Sequence, residues 1–274
     1  MKADLMKIYL SWFFSILLIF LQIVGCQRSK AGITVAGSTS VQPFGELLAD
    51  EYMRHHPESH IYVQGGGSTA GIEAVKSHAA KIGMSSRSLL PDEKNLYAVT
   101  IAKDAIAIIV HPKNPIHDLS LTRIKQVFSG KTRSWNELGG PAHPIILVSR
   151  EEGSGTRESF QKFVMDREEI SLESLVQDSN GAIRQVVSND PNAIGYISLG
   201  LVNEKVKVLK ISGVEPNVTD IENGTYTLVR PFLFVFNDEP EGEAKSFLEF
   251  VLSQPAQNLL SKEGLVPVLK RSGK

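Results

Sequence analysis

Short apolar segments and longer stretches with helical periodicity alternate along most of this chain. Each apolar segment has the length and the β-branched or aromatic content that is typical of a strand. We therefore predict strands at Ile33–Ala36, His60–Gln64, Lys81–Met84, Asp104–Val110, Pro144–Val148, Gly195–Ile197, Val206–Leu209 and Leu233–Phe236.

Between the predicted strands, apolar residues recur at the three- and four-residue spacing of one helical face. Phe44, Leu48 and Tyr52 follow this spacing, and so do Ile124 and Phe128. The spacing predicts helices over residues 44–53, 72–78, 121–128, 156–165, 182–187, 241–251 and 255–263. Strands that alternate with helices predict an α/β protein in which mixed β-sheets are flanked by helices.

Two of the predicted strands, near residues 104–110 and 230–236, are apolar almost throughout, which is typical of strands buried on both faces. They bracket the middle of the chain, so the chain leaves a first unit, builds a second and returns. We predict two lobes joined by these crossover strands: lobe I from residues 33–108 and 230–274, and lobe II from residues 109–229. A cleft between two lobes is a common place for a small ligand, and it closes by a hinge motion.

Composition and charge exclude few classes of function. The chain has 274 residues, a formal net charge of −1 and 42% hydrophobic residues. This length is enough for one large domain or two modest ones. Because no basic excess is present, we predict no nucleic-acid partner.

The N-terminus differs from the rest of the chain. Lys2 and Lys7 precede a nearly unbroken apolar run, Ile8–Gly25. A basic start, an apolar stretch and a small residue before a break predict a secretion signal over residues 1–25. The run is also long enough to span a bilayer. Under either interpretation the body of the protein lies outside the cytoplasmic membrane.

Cys26 follows Ile23-Val24-Gly25 and is the only cysteine of the sequence, which excludes an internal disulfide. This segment resembles the lipobox of bacterial lipoproteins, in which the signal is cut before the cysteine and the thiol is lipidated. The resemblance implies a lipid anchor at Cys26, with residues 26–32 as a linker and with the protein held at the cell membrane, facing the periplasm or the cell exterior. The alternative is a single-pass anchor with an incidental cysteine.

Three short loops share one design, in which glycine and hydroxyl residues stand at the start of a predicted helix. They are Gly37-Ser38-Thr39-Ser40, Gly65–Gly71 and Gly153-Ser154-Gly155-Thr156, the last of which follows Arg150. Helix N-termini expose unpaired N–H groups, glycine lets a ligand approach the backbone, and hydroxyls add donors. Three such loops and one guanidinium predict a cage for a small tetrahedral oxyanion, although Ser and Thr are also ordinary N-caps.

Two nucleotide-binding patterns compete with this interpretation. Gly65–Ala70 matches the dinucleotide fingerprint, with Asp92 or Glu93 near the distance expected for a ribose contact. A dinucleotide-binding function leaves the other two glycine-rich loops unexplained. Ser129–Thr132 is half of a P-loop, but Lys125 stands where the first glycine is required. A helix C-cap at Ser129-Gly130 explains this segment better.

An exported hydrolase is a third interpretation, with Ser68 as the nucleophile. The surrounding Gly66–Ala70 is one residue short of a nucleophile elbow, and none of the seven histidines has an orienting motif. The sequence contains no His-Glu-x-x-His and no cluster of Cys and His, so we predict no metal site.

Longer motifs resemble a known family, the phosphate-binding proteins of bacterial phosphate-specific ABC transporters. The resemblance covers residues 33–268, and its most specific pieces are residues 36–40, 65–71, 82–87, 127–138, 150–156 and 192–196. It implies the type-II periplasmic-binding-protein fold, with two α/β lobes around a cleft.

The resemblance also implies which residues contact the anion. The backbone N–H and the hydroxyl of the first loop fall at Thr39 and Ser40, and the serine of the second loop falls at Ser68. The arginine that pairs with the anion falls at Arg150. The segment that closes the cage falls at Ser154, Gly155 and Thr156. Each assignment agrees with the cage inferred from the loops, and Ser38 is a further candidate.

One position departs from the family pattern. Where described members carry an aspartate that accepts the proton of hydrogen phosphate and repels sulfate, this chain has Ser86, followed by Arg87. A serine donates or accepts, so it does not reject sulfate by charge. Two roles for Arg87 stay open: a second cation of the site, or a partner of a surface carboxylate.

The sequence therefore predicts a binding protein rather than an enzyme, without cofactor or metal. The resemblance implies a monomeric lipoprotein that binds inorganic phosphate and delivers it to a membrane ABC permease with its ATPase. The alternatives are a receptor for sulfate or molybdate, a phosphate sensor or adhesin, and the exported hydrolase.

Overall fold

In the computed structural model, which describes residues 32–269, ten strands form one continuous mixed sheet. The predicted signal sequence and Cys26 lie outside the described residues. The strands of this range are β1 (Ile33–Gly37), β2 (Ile61–Gly65), β3 (Ile82–Ser85), β4 (Tyr97–Val110), β5 (Asp118–Leu119), β6 (Ile146–Arg150), β7 (Leu175–Gln177), β8 (Ala193–Ser198), β9 (Lys207–Val208), β10 (Lys210–Ile211), β11 (Val229–Phe236) and β12 (Val266–Pro267).

The order of the sheet is β2-β1-β3-β11-β4-β8-β6-β7, with β9 and β12 also paired to β4. Strands β1, β2 and β3 run parallel to each other, and β6 runs parallel to β7 and β8. The antiparallel strands β4 and β11 lie between these two parallel groups. The separate pair β5–β10 forms a small second sheet.

Strand β4 connects the two halves of the sheet. Its first part, from Tyr97 to Ala105, pairs with β11, and its second part, from Ile106 to Val110, pairs with β8. The prediction placed only residues 104–110 in this strand, because polar and apolar residues mix over residues 97–103 and hide its beginning. The register with β11 sets Asp104 opposite Arg230.

Eight α-helices lie within residues 32–269, most of them where the apolar spacing places them. They are α1 (Gln42–His55), α2 (Ser68–Lys76), α3 (Leu121–Phe128), α4 (Gly155–Phe160), α5 (Asn180–Asn189), α6 (Val218–Glu222), α7 (Gly242–Val251) and α8 (Gln254–Lys262). Short 3₁₀ segments lie at Pro91–Glu93, Trp135–Leu138 and Leu199–Leu201, and a π-helical turn, Gln161–Met165, continues α4.

Capping explains where several helices begin and end. The side chains of Ser120, Ser154 and Ser179 accept backbone N–H groups in the first turns of α3, α4 and α5. Gly130 follows α3 with a φ of +76°, as the predicted C-cap requires. Helix α2 begins at Ser68, four positions before the predicted Ile72, so its first turn belongs to the second glycine-rich loop.

The two larger of the four apolar cores in the described range lie on either side of the middle of β4. The first core contains Phe44, Tyr52, Phe232, Phe234 and Phe247 together with residues of β1–β3. The second core contains Phe128, Trp135, Phe160, Tyr196 and Leu147. The rings of Phe160 and Tyr196 stack with centroids 4.0 Å apart. We refer to the parts of the sheet around these cores as the first and the second half. In the described range, no helix has both the length and the apolar character needed to cross a bilayer.

Candidate functional site

The three loops that the sequence singled out lie at the carboxyl ends of strands. The first joins β1 to α1, the second joins β2 to α2, and the third joins β6 to α4. The N-termini of α2 and α4 therefore lie at the carboxyl ends of the strands that precede them. The first N–H groups of each helix have no acceptor within their own helix. This is the end of a parallel sheet at which α/β proteins bind ligands.

Direct hydrogen bonds join loops of the two halves. Ser40 Oγ lies 2.8 Å from Thr156 Oγ1, and the backbone N–H of Thr69 donates to the carbonyl of Gly153 at 3.1 Å. All four residues belong to the predicted loops, and each bond connects one loop of the first half to the loop of the second. The structure thus brings the three loops together around one place.

Gly155 shows how closely the two halves approach. A Cβ atom at this position would lie 2.2 Å from Ser68 Oγ and 2.8 Å from Ser86 Oγ, distances that no real Cβ contact tolerates. Ser68 and Ser86 belong to the first half, and both are fully buried. Glycine is therefore required at position 155 because the helix N-terminus meets two serine hydroxyls there.

Ser86 is held by its neighbours Ser38 and Ser68. The backbone N–H of Ser40 donates to Ser38 Oγ at 3.2 Å, and Ser38 Oγ in turn donates to Ser86 Oγ at 2.9 Å. The backbone N–H of Ser86 donates to Ser68 Oγ at 3.1 Å. Ser38, the further candidate, thus orients the hydroxyl of Ser86.

Arg150 ends β6 and is only 1% exposed. Its Nε and Nη2 donate to the carboxylate of Glu151 at 2.8 Å each, and Nη2 also donates to Thr39 Oγ1 at 3.0 Å. The carbonyls of Gln177 and Asp178 accept further bonds from Nε and Nη2. Nη1 is buried and has no hydrogen-bond partner among the described residues. Arg150 therefore reaches the first loop and retains an unused donor.

Tyr196 supports the strand that carries Arg150. Its hydroxyl lies 2.8 Å from Ser149 Oγ and accepts the backbone N–H of Arg150 at 3.3 Å. Burial raises the pKa of the Tyr196 phenol, so the group stays protonated. The segment 192–196 was noticed as part of a family pattern, and this contact gives it a physical role.

Sequence reasoning missed the ion pair between Arg230 and Asp104, which connects β11 to β4. Arg230 Nε and Nη2 donate to Asp104 Oδ2 at 3.0 Å and 2.9 Å, and Nη2 also contacts Ser40 Oγ at 3.3 Å. Burial raises the pKa of Asp104 and lowers the pKa of Arg230. Arg230 Nη1, like Nη1 of Arg150, is buried without a hydrogen-bond partner in the part of the chain that is described. Charged residues inside apolar predicted strands were the signal that could have revealed this pair.

Asn180, at the start of α5, was also missed. Its Nδ2 donates to Ser40 Oγ at 2.9 Å, and its Oδ1 accepts the backbone N–H of Ser198 at 3.0 Å. The side chain is buried and fixed at both ends, so it orients Ser40. In the sequence, an asparagine directly after a serine is typical of an ordinary helix N-terminus. Asn180 was therefore not predicted as a functional residue.

Arg87 bonds with carboxylates, as one of its two open roles anticipated, but they are not simple surface groups. Its Nη1 and Nη2 donate to Glu93 at 2.6 Å and 2.9 Å, and its Nε lies 2.6 Å from Glu158 Oε2. Arg87 and Glu93 are nearly fully buried, whereas Glu158 is 30% exposed. Burial lowers the pKa of Arg87, but the two carboxylates outweigh this and raise it. Because Glu158 belongs to α4, the pair also connects the two halves.

The hydrogen bonds of the structure do not support the dinucleotide-binding or the hydrolase interpretation. Glu93, a candidate ribose ligand, is bonded by Arg87, and Ser68, the candidate nucleophile, is bonded by Ser86. Over residues 32–269, no group of three or more His, Cys, Asp or Glu side chains is placed to hold a metal ion.

An α/β sheet with two larger cores and polar loops meeting at its strand ends has the architecture of a solute-binding protein. A family model described as a PBP superfamily domain matches residues 25–255. The phosphate-binding protein PstS of Bacillus subtilis (strain 168) is 31% identical over 251 residues, which are 89% of this chain and 83% of that protein. The chain therefore belongs to the PBP superfamily and, within it, to the family of the phosphate-binding proteins PstS.

Solved structures agree with this membership. A putative phosphate ABC transporter substrate-binding protein from Clostridium perfringens, solved with bound phosphate, is 41% identical. It matches with a TM-score of 0.84 over 87% of this chain and 100% of that one. An ABC-type phosphate transport receptor from Vibrio cholerae is 36% identical and has a TM-score of 0.72 over 85% and 99% of the two chains. The resemblance and the fold class predicted from the sequence are thereby confirmed, and the family is one of substrate-binding proteins, not of enzymes.

Proposed function

We propose that this protein binds inorganic phosphate where the three loops meet and delivers it to a membrane ABC permease. The observation that carries the proposal is the buried Nη1 of Arg150, which has no partner among the described residues although a buried donor without an acceptor costs about 1–3 kcal/mol. An oxyanion beside Thr39 and the N-terminus of α4 would accept this donor. Phosphate as the anion is supported by the similar proteins, which are a phosphate-binding protein, a substrate-binding protein solved with bound phosphate and a phosphate transport receptor.

The proposed contacts are the backbone and hydroxyl donors of both halves together with Arg150. They comprise Thr39, Ser40, Ser68, Ser86, Arg150, Ser154, Gly155 and Thr156. Binding makes and breaks no covalent bond. Its free energy comes from charge-assisted hydrogen bonds in a site that excludes water, where each bond to a charged group contributes about 1.5–3 kcal/mol.

Ser38 and Arg87 have supporting roles in this proposal. Ser38 donates to Ser86 Oγ, and the guanidinium of Arg87 is taken up by Glu93 and Glu158. Ser38 therefore fixes the direction of the Ser86 hydroxyl, and Arg87 helps to hold the closed arrangement.

The domain organisation belongs to the same proposal. Lobe I, residues 33–108 and 230–274, would turn against lobe II, residues 109–229, about the crossover strands β4 and β11. The separate cores on either side of β4 support this division. Closure would bring Thr156 onto Ser40 and enclose the anion.

We further propose that the protein works as a monomer that Cys26 anchors to the membrane through acyl chains, so that it faces the periplasm or the cell exterior. The supporting observation is the single cysteine directly after the apolar run Ile8–Gly25. Intact-mass measurement on protein extracted from membranes tests the anchor. We expect an added acyl mass that disappears in Cys26→Ser, and an unmodified Cys26 would refute it.

Calorimetric titration tests the binding proposal. The purified protein, dialysed free of phosphate, is titrated with phosphate, with arsenate and with chloride as the unspecific control. We expect one phosphate per chain, a Kd below about 1 μM and no heat with chloride. Absence of saturable phosphate binding at millimolar concentration would overturn the proposed function.

A further inference from the structure

Arg230 and Arg150 share a pattern of side-chain hydrogen bonds. Each guanidinium uses Nε and Nη2 on one carboxylate, Asp104 for Arg230 and Glu151 for Arg150. Each also uses Nη2 on a hydroxyl of the first loop: Ser40 Oγ for Arg230 and Thr39 Oγ1 for Arg150. Arg150 alone donates further to the carbonyls of Gln177 and Asp178. The two arginines therefore approach neighbouring residues of one loop in the same manner.

The planar geometry of guanidinium fixes where the remaining donors point. The N–H groups of Nη1 and Nη2 at the end of the fork are parallel, so when Nη2 donates to a hydroxyl, Nη1 directs an N–H alongside it. For Arg230 this direction passes beside Ser40, whose Oγ lies 2.8 Å from Thr156 Oγ1. Nη1 of Arg230 is buried and without a partner among residues 32–269, as is Nη1 of Arg150.

The electrostatic interaction between Arg150 and Arg230 indicates that both guanidinium groups lie at the same site. The two guanidinium groups bond to neighbouring residues, Thr39 and Ser40, so they are close enough to repel each other. Burial lowers the pKa of Arg230, and the charge of Arg150 lowers it further. Two buried cations directed at one loop are costly unless an anion lies between them. Asp104 and Glu151 offset part of this repulsion from the sides that face away from the end of each fork.

We infer that Arg230 is a second anion-binding arginine, whose Nη1 donates to the same anion as Nη1 of Arg150. This inference rests on the proposed function, because it concerns the same pocket. It assigns the pocket two guanidinium groups that are each paired with a carboxylate. Such a pocket prefers a doubly charged tetrahedral anion, HPO₄²⁻, to the singly charged H₂PO₄⁻.

A double variant separates anion binding from a purely structural role. Arg230→Met with Asp104→Leu removes the ion pair as a unit and leaves neither charge buried alone, a replacement that folded proteins often tolerate. We expect phosphate affinity to fall at least about 100-fold. The matched control is Arg133→Met with Glu173→Leu, which removes an exposed pair, 3.3 Å apart, from the second half. Its affinity is expected within about threefold of the wild type.

The pH dependence provides a readout that a structural role would not move. Wild-type affinity is expected to rise as pH increases through the second ionisation of phosphate, and the double variant is expected to lose part of that rise. If the double variant does not fold, Arg230→Lys decides the question. It keeps the charge but loses the fork, and we expect affinity to fall about tenfold.

The outcomes separate this inference from the proposed function. A wild-type protein that does not bind phosphate overturns both. A wild type that binds phosphate, together with a folded double variant of unchanged affinity and unchanged pH dependence, overturns the role of Arg230 alone. Unchanged affinity in Arg230→Lys overturns it in the same way.

Discussion

Ser40 and Thr156 are 116 positions apart in the sequence, yet their side-chain oxygens lie 2.8 Å from each other. Ser40 follows β1 in the first half of the sheet, and Thr156 lies in the first turn of α4 in the second half. Asn180 and Arg230 both donate to Ser40 Oγ. Ser40 is thus the hydroxyl at which loops, helix α5 and crossover strand β11 meet.

Replacing Gly155 with alanine should prevent this meeting. The new Cβ would lie 2.2 Å from Ser68 Oγ, so the two halves must separate, and overpacking of this kind costs about 1–3 kcal/mol. We expect phosphate affinity to fall about tenfold to 100-fold, with little change in the melting temperature of the ligand-free protein. Small-angle scattering is expected to show compaction by phosphate in the wild type but not in Gly155→Ala.

Gly181→Ala is the matched control, because its Cβ would meet only Ser179 Oγ, at 3.9 Å. Phosphate binding by this variant is expected to be unchanged. A Gly155→Ala protein that binds and compacts as the control does would contradict the close approach of the two halves.

Removing the side chain of Arg150 should abolish tight phosphate binding. Arg150→Ala deletes the cation and the unpaired Nη1, and each hydrogen bond to a charged group contributes about 1.5–3 kcal/mol. We expect at least about a 100-fold loss of affinity by calorimetry. Arg133→Ala, an exposed arginine of the same half, serves as the control. Equal affinities in the two variants would refute the role of Arg150.

The ion pair between Arg87 and Glu158 should slow ligand release. It joins the segment that follows β3 to α4 at 2.6 Å, and Thr69 Oγ1 adds a hydrogen bond to Glu158 at 3.3 Å. Because Glu158 is 30% exposed, we expect Glu158→Gln to cost only about 1 kcal/mol, which is about a fivefold faster dissociation of phosphate in stopped-flow measurements. Glu168→Gln removes a pair with Lys131 within the second half and should leave the rate unchanged. Similar dissociation rates in both variants would show that the ion pair between Arg87 and Glu158 does not slow phosphate release.

Breaking the pair between Asp104 and Arg230 from one side should destabilise the fold. Asp104→Asn leaves the buried guanidinium of Arg230 without its counterion, which typically costs about 3–5 kcal/mol. Chemical denaturation of the ligand-free protein measures this loss. The double replacement of Arg230 by Met and Asp104 by Leu is expected to cost less than Asp104→Asn, and the opposite order would contradict a buried ion pair.

Glu93 should contribute stability that acid removes. Burial raises its pKa, but bonds from Arg87 and from the backbone N–H of Leu90 outweigh burial, so the pKa of Glu93 is lowered from 4.5. The stabilisation is therefore complete above the ordinary pKa and is lost as pH falls through the lowered one. We expect the melting temperature to fall over this range in the wild type and to fall less steeply in Glu93→Gln. Parallel pH profiles would refute the assignment.

The sequence alone determined the local elements and the three loops of this protein. Apolar spacing located most helices and strands, and Gly37–Ser40, Gly65–Gly71 and Gly153–Thr156 marked the strand ends that meet in the structure. This succeeded because helix starts and tight turns depend on residues a few positions apart. Arg150 was found in the same way, because it stands directly before the third loop, and the family resemblance implied the same role for it.

Contacts between distant segments fix which charges lie beside the three loops. The pairing of β4 with β11 sets Arg230 opposite Asp104, and Arg230 and Asn180 both reach Ser40, whereas Arg87 bonds with Glu93 and Glu158. These partners come from separate strands and helices, and no short-range pattern records the register that sets them face to face. The residues of the proposed anion site therefore stand in local motifs, whereas the charges around them are set by contacts between distant segments.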